Sequence, residues 1–177
     1  MHRWKTVHFS VHPQITMMDW IKKIGSIALI TLGLLITGCS LAQEPEPSAQ
    51  AALASEINVF RSPTCGCCGL WIEHMREAGF QVNDQITEDM AAIKEQYDIP
   101  DNLTSCHTAV VDGYVVEGHI PAADVARLLT ENSDIAGIAV PGMPSGSPGM
   151  ESGSYVESYT VFAFDKNGAT TSFSEHS

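Results

Sequence analysis

Positive charge is scarce in this sequence. Its 177 residues hold nine Lys and Arg against twenty-one Asp and Glu, a net charge of −12 at neutral pH. From Ser40 onward only Arg61, Arg76, Lys94, Arg127 and Lys166 are basic, against twenty acidic residues. Such a surface repels nucleic acid and anionic lipid headgroups, so neither is expected to bind it. Catalytic signatures are missing as well. There is no Ser-His-Asp order, Walker loop, dinucleotide glycine fingerprint or His-Glu-x-x-His helix, which sets hydrolytic and nucleotide chemistry aside. The apolar run from Ile24 to Ile36 falls short of the roughly 20 residues that a membrane-spanning helix needs.

That run is the centre of a leader. Lys22 and Lys23 precede it and the small residues Thr37, Gly38 and Cys39 follow, the order of a signal peptide. Leu35-Ile36-Thr37-Gly38-Cys39 resembles the bacterial lipobox, in which the cysteine is acylated and becomes the new N-terminus. Cys39 is then a lipid attachment point and not a ligand. Ordinary cleavage after Ala42 is the alternative, and either route exports the domain. Met17 or Met18 would start a leader of ordinary length, so the residues before them are left out of the fold reading. Residues 1–39 are thus assigned to the leader and 40–54, rich in Ala, Glu, Pro and Ser, to a flexible tether. Residues 55–177 remain for one domain, long enough to bury a single core.

Hydrophobic periodicity divides that domain. Ile57 to Phe60 reads as a strand, followed by a loop ending Cys65-Gly66-Cys67-Cys68 and a helix from Gly69 to Glu77, closed by Gly79. Phe80 to Ile86 alternates as a strand, and Glu88 to Tyr97 reads as a second helix. His107 to Val111 and Tyr114 to His119 form a hairpin around Asp112-Gly113, a pair suited to the positive φ of a primed turn. Pro121 opens a third helix through Leu129, with the proline expected in its first turn. Val140 to Gly153 is a Pro, Gly and Ser loop carrying Met143 and Met150. A last hairpin, Tyr159 to Phe164 and Ala169 to Phe173, turns at Asn167-Gly168. The expected class is α/β: a thioredoxin-like βαβαββα core with an additional C-terminal β-hairpin. In thioredoxin the chain before the third strand returns to face the active cysteines, usually with a cis-proline; here Ser105-Cys106-His107 takes that position.

Chemistry concentrates on sulfur. Cys65, Cys67 and Cys68 lie at a helix entrance, where unpaired N–H groups and the helix dipole favour thiolate. Three thiolates so close require a positive neutraliser or a disulfide. Cys106 makes the mature set even. Soft thiolates suit Cu(I), Zn(II) or iron–sulfur clusters. Neighbouring side chains at Cys67 and Cys68 diverge, which fits bridging between several Cu(I) ions better than closing one tetrahedral site. Structural zinc uses paired Cys-x-x-Cys units and only one is present, so zinc is the lesser candidate. An exported protein can instead oxidise Cys65 with Cys68, leaving Cys67 for Cys106. His107 is a further ligand or a hydrogen-bonding neighbour, and Met143 and Met150 offer thioether sulfur from their loop. His74 reads as exposed or core-lining, His119 and His176 have no evident partner, and Trp71 packs the first helix on the sheet and shields the cysteines.

Arg61-Ser62-Pro63-Thr64-Cys65-Gly66-Cys67-Cys68 with Trp71, Ser105-Cys106-His107-Thr108-Ala109-Val110-Val111, Val115 to Pro121, and Val140-Pro141-Gly142-Met143-Pro144 to Gly149-Met150-Glu151 together resemble the CopG-type family (DUF411). This is a group of periplasmic metal-binding proteins linked to copper resistance. The resemblance spans about Ile57 to Glu151. It implies a thioredoxin-like fold holding a copper cluster through Cys65, Cys67, Cys68 and Cys106, and cycling of copper between Cu(I) and Cu(II); the lipobox adds a lipid-anchored place in the periplasm. A copper efflux or oxidase protein is the partner such a role would have.

Overall fold

Strand β1 (Glu56–Arg61) starts the fold because its alternation puts Ile57 and Val59 on one face, where both are fully buried. The structure, a computed structural model, describes residues 54–177; the leader, Cys39 with its lipobox and all of the tether but Ala54 lie outside the described residues. After β1 the Cys65 N–H closes a turn on the Ser62 carbonyl at 3.1 Å, and helix α1 (Gly66–Glu77) begins at once. This is three residues earlier than the apolar periodicity suggests. The first turn carries Cys67 and Cys68, polar-loop residues by pattern but helical by position. Cys68, Trp71, Ile72 and Met75 follow at helical spacing and form the buried face. Each aliphatic or Met side chain buried here contributes roughly 1.5–3 kcal/mol. The helix ends in a Schellman motif. Gly79, at φ +102°, donates to Arg76, and Phe80 donates to Met75 while burying its ring.

Strand β2 (Gln81–Ile86) pairs parallel with β1 at the sheet edge, and its polar sequence suits that exposed place. Helix α2 (Met90–Gln96) is capped by the Asp89 side chain, which accepts from the Ala92 N–H at 3.0 Å. A 3₁₀ turn (Asp101–Leu103) leads to β3 (His107–Val111), antiparallel to β1. Strand β4 (Tyr114–Glu117) returns through Asp112 and Gly113, both at positive φ, as the dipeptide predicts. Helix α3 (Ala122–Glu131) has Pro121 at its N-cap rather than in its first turn, and ends at left-handed Asn132.

The expected βαβαββα order is therefore present, followed by the hairpin of β6 (Tyr159–Phe164) and β7 (Thr170–His176). One strand was not expected: β5 (Gly137–Ala139), three buried residues too short to show alternation. It pairs parallel with β4 and antiparallel with β6, and so joins the hairpin to one seven-stranded sheet, β2-β1-β3-β4-β5-β6-β7. The hairpin is also tied to α3. His176 sits 2.7 Å from Asp124, Ser174 donates to the same carboxylate at 2.8 Å, and Arg127 lies 3.7 Å over the Phe173 ring. His176, partnerless by sequence, has this structural role.

Core forms on both faces of the sheet. Trp71, Ile72 and Met75 of α1 and Val125 and Leu128 of α3 pack with Ile57, Val59, Val116 and Ile138. Opposite, Ile99 and Leu103 cover Val115, Ala139 and Phe164. The alternation of Val115 with Val116 and of Ile138 with Ala139 divides these residues between the layers.

At the β4–β5 seam Gly137 is pressed against the Val115 carbonyl, and any β-carbon there would overlap it. Gly137→Ala should therefore part the seam and destabilise the domain by about 2 kcal/mol or more. A lowered urea midpoint measures this; a midpoint within 0.1 M of the parent, roughly the noise of the method, would contradict it.

Candidate metal centre

The start of α1 and the chain entering β3 meet at one end of the sheet. There the sulfur atoms of Cys65, Cys67, Cys68 and Cys106 all lie within 4.8 Å of one another. Cys65 and Cys68 are joined in a disulfide, with Cα atoms 5.4 Å apart. Cys67 and Cys106 are free and half-buried, and Cys67 Sγ lies 3.6 Å from Cys65 Sγ. The four thiols that the sequence singled out thus converge, in the oxidised state of one pair. Reduction of that pair leaves four sulfur donors around one point.

Cys106 is held by its neighbour. The Ser105 N–H donates to the Glu117 carboxylate at 2.6 Å, and the Ser105 hydroxyl donates to the Gly142 carbonyl. Glu117 has no exposed surface. Its carboxylate also accepts from Thr108 Oγ1 at 2.7 Å and pairs with the Lys94 ammonium. A buried charge needs this full complement, and here the complement comes from α2, β3 and the Cys106 loop together. Gly118, at φ +83°, lets β4 pass beside Ser105; a β-carbon there would lie 2.5 Å from its hydroxyl oxygen. Across the site Gly149 rests on the first turn of α1, where a β-carbon would come within 2.8 Å of the Trp71 nitrogen and 2.9 Å of the Cys67 oxygen.

Two imidazoles complete the surroundings. His107 Nδ1 lies 3.4 Å and His119 Nε2 3.0 Å from Cys106 Sγ. Strand alternation does not separate Cys106 from His107, because Cys106 precedes the strand. His119 was read as partnerless, yet the sequence held a signal for it. Counting back equally from the Asp112-Gly113 turn, Thr108 faces Glu117 and, two positions further, Cys106 comes opposite His119. Both imidazoles are fully buried. Burial drives the His107 pKa well down, helped by His119 and Lys94; burial also lowers that of His119, against the opposing Pro148 carbonyl and Glu151. Both rings are therefore neutral near pH 7.

The other expected residues divide. Trp71 is fully buried, donates to the Ile120 carbonyl at 2.8 Å, and lies 4.4 Å from the His107 ring, so it walls the site as foreseen. Met143 is half-exposed beside the Gly142 contact to Ser105. Met150 is half-buried, and its backbone closes the loop on Gly146 and Ser147. His74 lines neither site nor core; its Nε2 accepts from the Ala122 N–H at 3.0 Å and serves the start of α3. A separate cavity of about 420 Å³, lined in part by Tyr97, Asp112, Tyr114 and Asp165, opens at the turn end of the β3–β4 hairpin and contains none of these groups.

Residues 103–150 match the family model described as "Protein of unknown function, DUF411". Two solved structures are similar. "Copper resistance protein copG- Form 2" is 44% identical, with a TM-score of 0.68, 70% of this chain and 99% of that chain being covered. "Copper resistance protein copG- Form 1" is 45% identical, with a TM-score of 0.66 and coverage of 68% and 96%. Among curated proteins none matches significantly.

Two expectations follow. Glu117→Ala would strand Lys94 in a largely buried place and should cost about 3–5 kcal/mol of stability, read from chemical unfolding; a loss below about 1 kcal/mol would mean that the carboxylate does not organise the site. The second concerns pH in the metal-free, disulfide-bonded protein. Burial, then the neighbouring Cys67, pushes the Cys106 thiol from 9.0 up to about 12. A raised folded-state pKa contributes stability that is complete below the unfolded value and is lost as pH rises from about 9 toward 12. Iodoacetamide should accordingly modify Cys106 slowly at pH 8 and faster with each step above it, as followed by peptide mass mapping; a rate already at its plateau by pH 9 would contradict the shift.

Proposed function

The chain belongs to the CopG-type DUF411 family, and from this premise we propose that it is an envelope copper-binding protein that holds Cu(I) as a multinuclear thiolate cluster. One observation carries the reading: four thiol sulfurs converge within 4.8 Å at the start of a helix. Thiolate sulfur is soft and selects Cu(I). The helix N-terminus offsets its negative charge, since the two basic side chains of the flanking elements are already engaged, Lys94 by Glu117 and Arg61 by Asp84. Cys67 and Cys68 are adjacent in the first turn and diverge by about 100° around the helix axis, which suits sulfurs that bridge separate ions. That copper is the metal is supported by the relatives, both titled copper resistance proteins.

The site also has an electron balance. Two thiolates at Cys65 and Cys68 give two electrons on forming their disulfide, enough to return two Cu(II) ions to Cu(I); an external dithiol, itself oxidised to a disulfide, would supply the two electrons and two protons that restore both thiols. Copper resistance by buffering and by cycling of the metal's oxidation state is the role this supports. Acylation at Cys39 and the tether up to Ala54 would keep the domain at a periplasmic membrane surface, within reach of a copper efflux or oxidase partner. Met143 is exposed, next to the Gly142 carbonyl that Ser105 engages, and would be open to incoming metal.

The Cys65–Cys68 disulfide favours a second reading, a thiol–disulfide oxidoreductase acting on partner proteins. Anaerobic titration of the reduced protein with Cu(I) against a competing chelator separates the two, with Zn(II) as the control. Several Cu(I) ions per chain are expected, and Cys67→Ser should lower that number sharply. Full loading of Cys67→Ser would defeat the cluster, whereas absent copper binding with a mixed disulfide trapped by Cys68→Ser would establish the oxidoreductase.

A further inference from the structure

We infer that the outer face of α1 and the loop from Gly142 to Glu157 form a docking surface for a second protein, one that presents apolar side chains inside a rim of Lys and Arg. The surface uses no metal ligand, so it stands or falls apart from the copper reading.

Large apolar side chains open to water are few among the described residues: Leu70, Ile86, Met143, Tyr155 and Val156, each between 47% and 67% exposed. All but Ile86 belong to this one region. Leu70 stands on α1 three residues beyond Cys67. Gly149 lies against its peptide, since a β-carbon on Gly149 would come 3.3 Å from the Leu70 carbonyl carbon. The other end of the loop carries Val156, whose Cα and Cγ2 a β-carbon on Gly146 would meet at 3.0 Å. Hydrogen bonds tie these stretches together: the Gly146 N–H donates to the Met150 carbonyl at 3.0 Å, and the Glu157 N–H donates to the Ser145 carbonyl at 2.9 Å. Tyr155 and Val156 are thus held outward by a bonded backbone, beside the turn that rests on α1. Apolar residues scattered singly on a surface need no explanation, whereas four gathered in one place mark a contact face.

Charge selects the occupant. Glu73 and Glu77 follow Leu70 at i+3 and i+7 and share its side of the helix, and Glu151 and Glu157 stand on the loop; all four are exposed. The charge of Glu151 reaches the His74 ring on α1, which places it at the same rim. Arg76, the one arginine of α1, is engaged by Glu73 at 2.8 Å. A second copy of this chain would set the same carboxylates against these, and an anionic membrane is repelled likewise. An apolar centre within a basic rim is the complement, and charges so arranged steer the partner in and fix its register. Gly149 also rests on the Cys67 carbonyl, so a partner seated here stands beside the cysteines.

The probe is a fluorescein-labelled synthetic helix with Leu along one face and Lys along the other, titrated with the full chain and read by anisotropy. It should bind with an affinity that falls as salt rises, and an analogue with Glu in place of Lys should not bind. Leu70→Ser, Tyr155→Ser and Val156→Ser together should weaken binding at least about tenfold, while Ile86→Ser, at the far edge strand β2, should change it less than about twofold. Methyl NMR of the wild-type chain keeps the test independent of how the variants fold: shifts caused by the peptide should centre on Leu70, Met143 and Val156. A peptide that fails to bind, that the triple variant binds as tightly, or that shifts other methyl groups instead would overturn the docking surface. So would sedimentation of the wild type as a dimer that the triple variant dissolves, since the face would then belong to a second copy.

Discussion

Glu117 brings a carboxylate to a place with no solvent, and the geometry around the cysteines is measured from it. The Lys94 ammonium, the Thr108 hydroxyl and the Ser105 N–H surround the charge. Each comes from a different part of the chain: the short helix α2, strand β3 and the loop that carries Cys106. A buried ion pair is weak evidence for stability, since apolar replacements often do as well. Its worth here lies in position. With the Ser105 nitrogen fixed, Cys106 cannot drift along the strand, and its sulfur stays opposite the first turn of α1.

Two further close approaches hold the other walls. Gly118 lets β4 run beside Ser105 without a side chain between them, and Gly149 seats the Pro, Gly and Ser loop on the backbone of Cys67 and Trp71. Both adopt positive φ and both lack the space for a β-carbon, so either reason alone would select glycine. The same loop presents the Pro148 carbonyl to His119. A segment without regular structure therefore determines where an imidazole proton sits, and through it which nitrogen faces the sulfur.

Electrostatics explain why the metal-free site is compatible with folding. Four thiolates and two imidazolium ions in one buried corner would be costly. Most of that charge is absent with Cys65 and Cys68 joined as a disulfide: burial keeps Cys106 protonated, and both rings are uncharged. Copper binding as proposed would exchange thiol protons for metal, and would therefore be coupled to proton release. The acidic surface raises the local concentration of cations only weakly, and selectivity rests with the sulfur donors.

The order of strands and helices was legible in the sequence because periodicity and turn chemistry are local: alternation in β1, the buried face of α1, the positive φ of Asp112-Gly113 and the Gly79 stop. So was the cysteine quartet, because three of its members share one helix turn and the fourth stands before a strand that must pair nearby. Strand β5 was not legible, since three residues carry no period and only their two neighbours make them a strand. Nor was the part played by His74, His119 and His176. An imidazole gives no local signature, and each of these acquires its partner from residues far along the chain: Ala122, Cys106 with Pro148, and Asp124. Sequence alone determined which atoms could bind a soft metal. Tertiary structure decided which of them meet, because hairpin register, a buried carboxylate and glycine-sized gaps act only when distant segments are brought together.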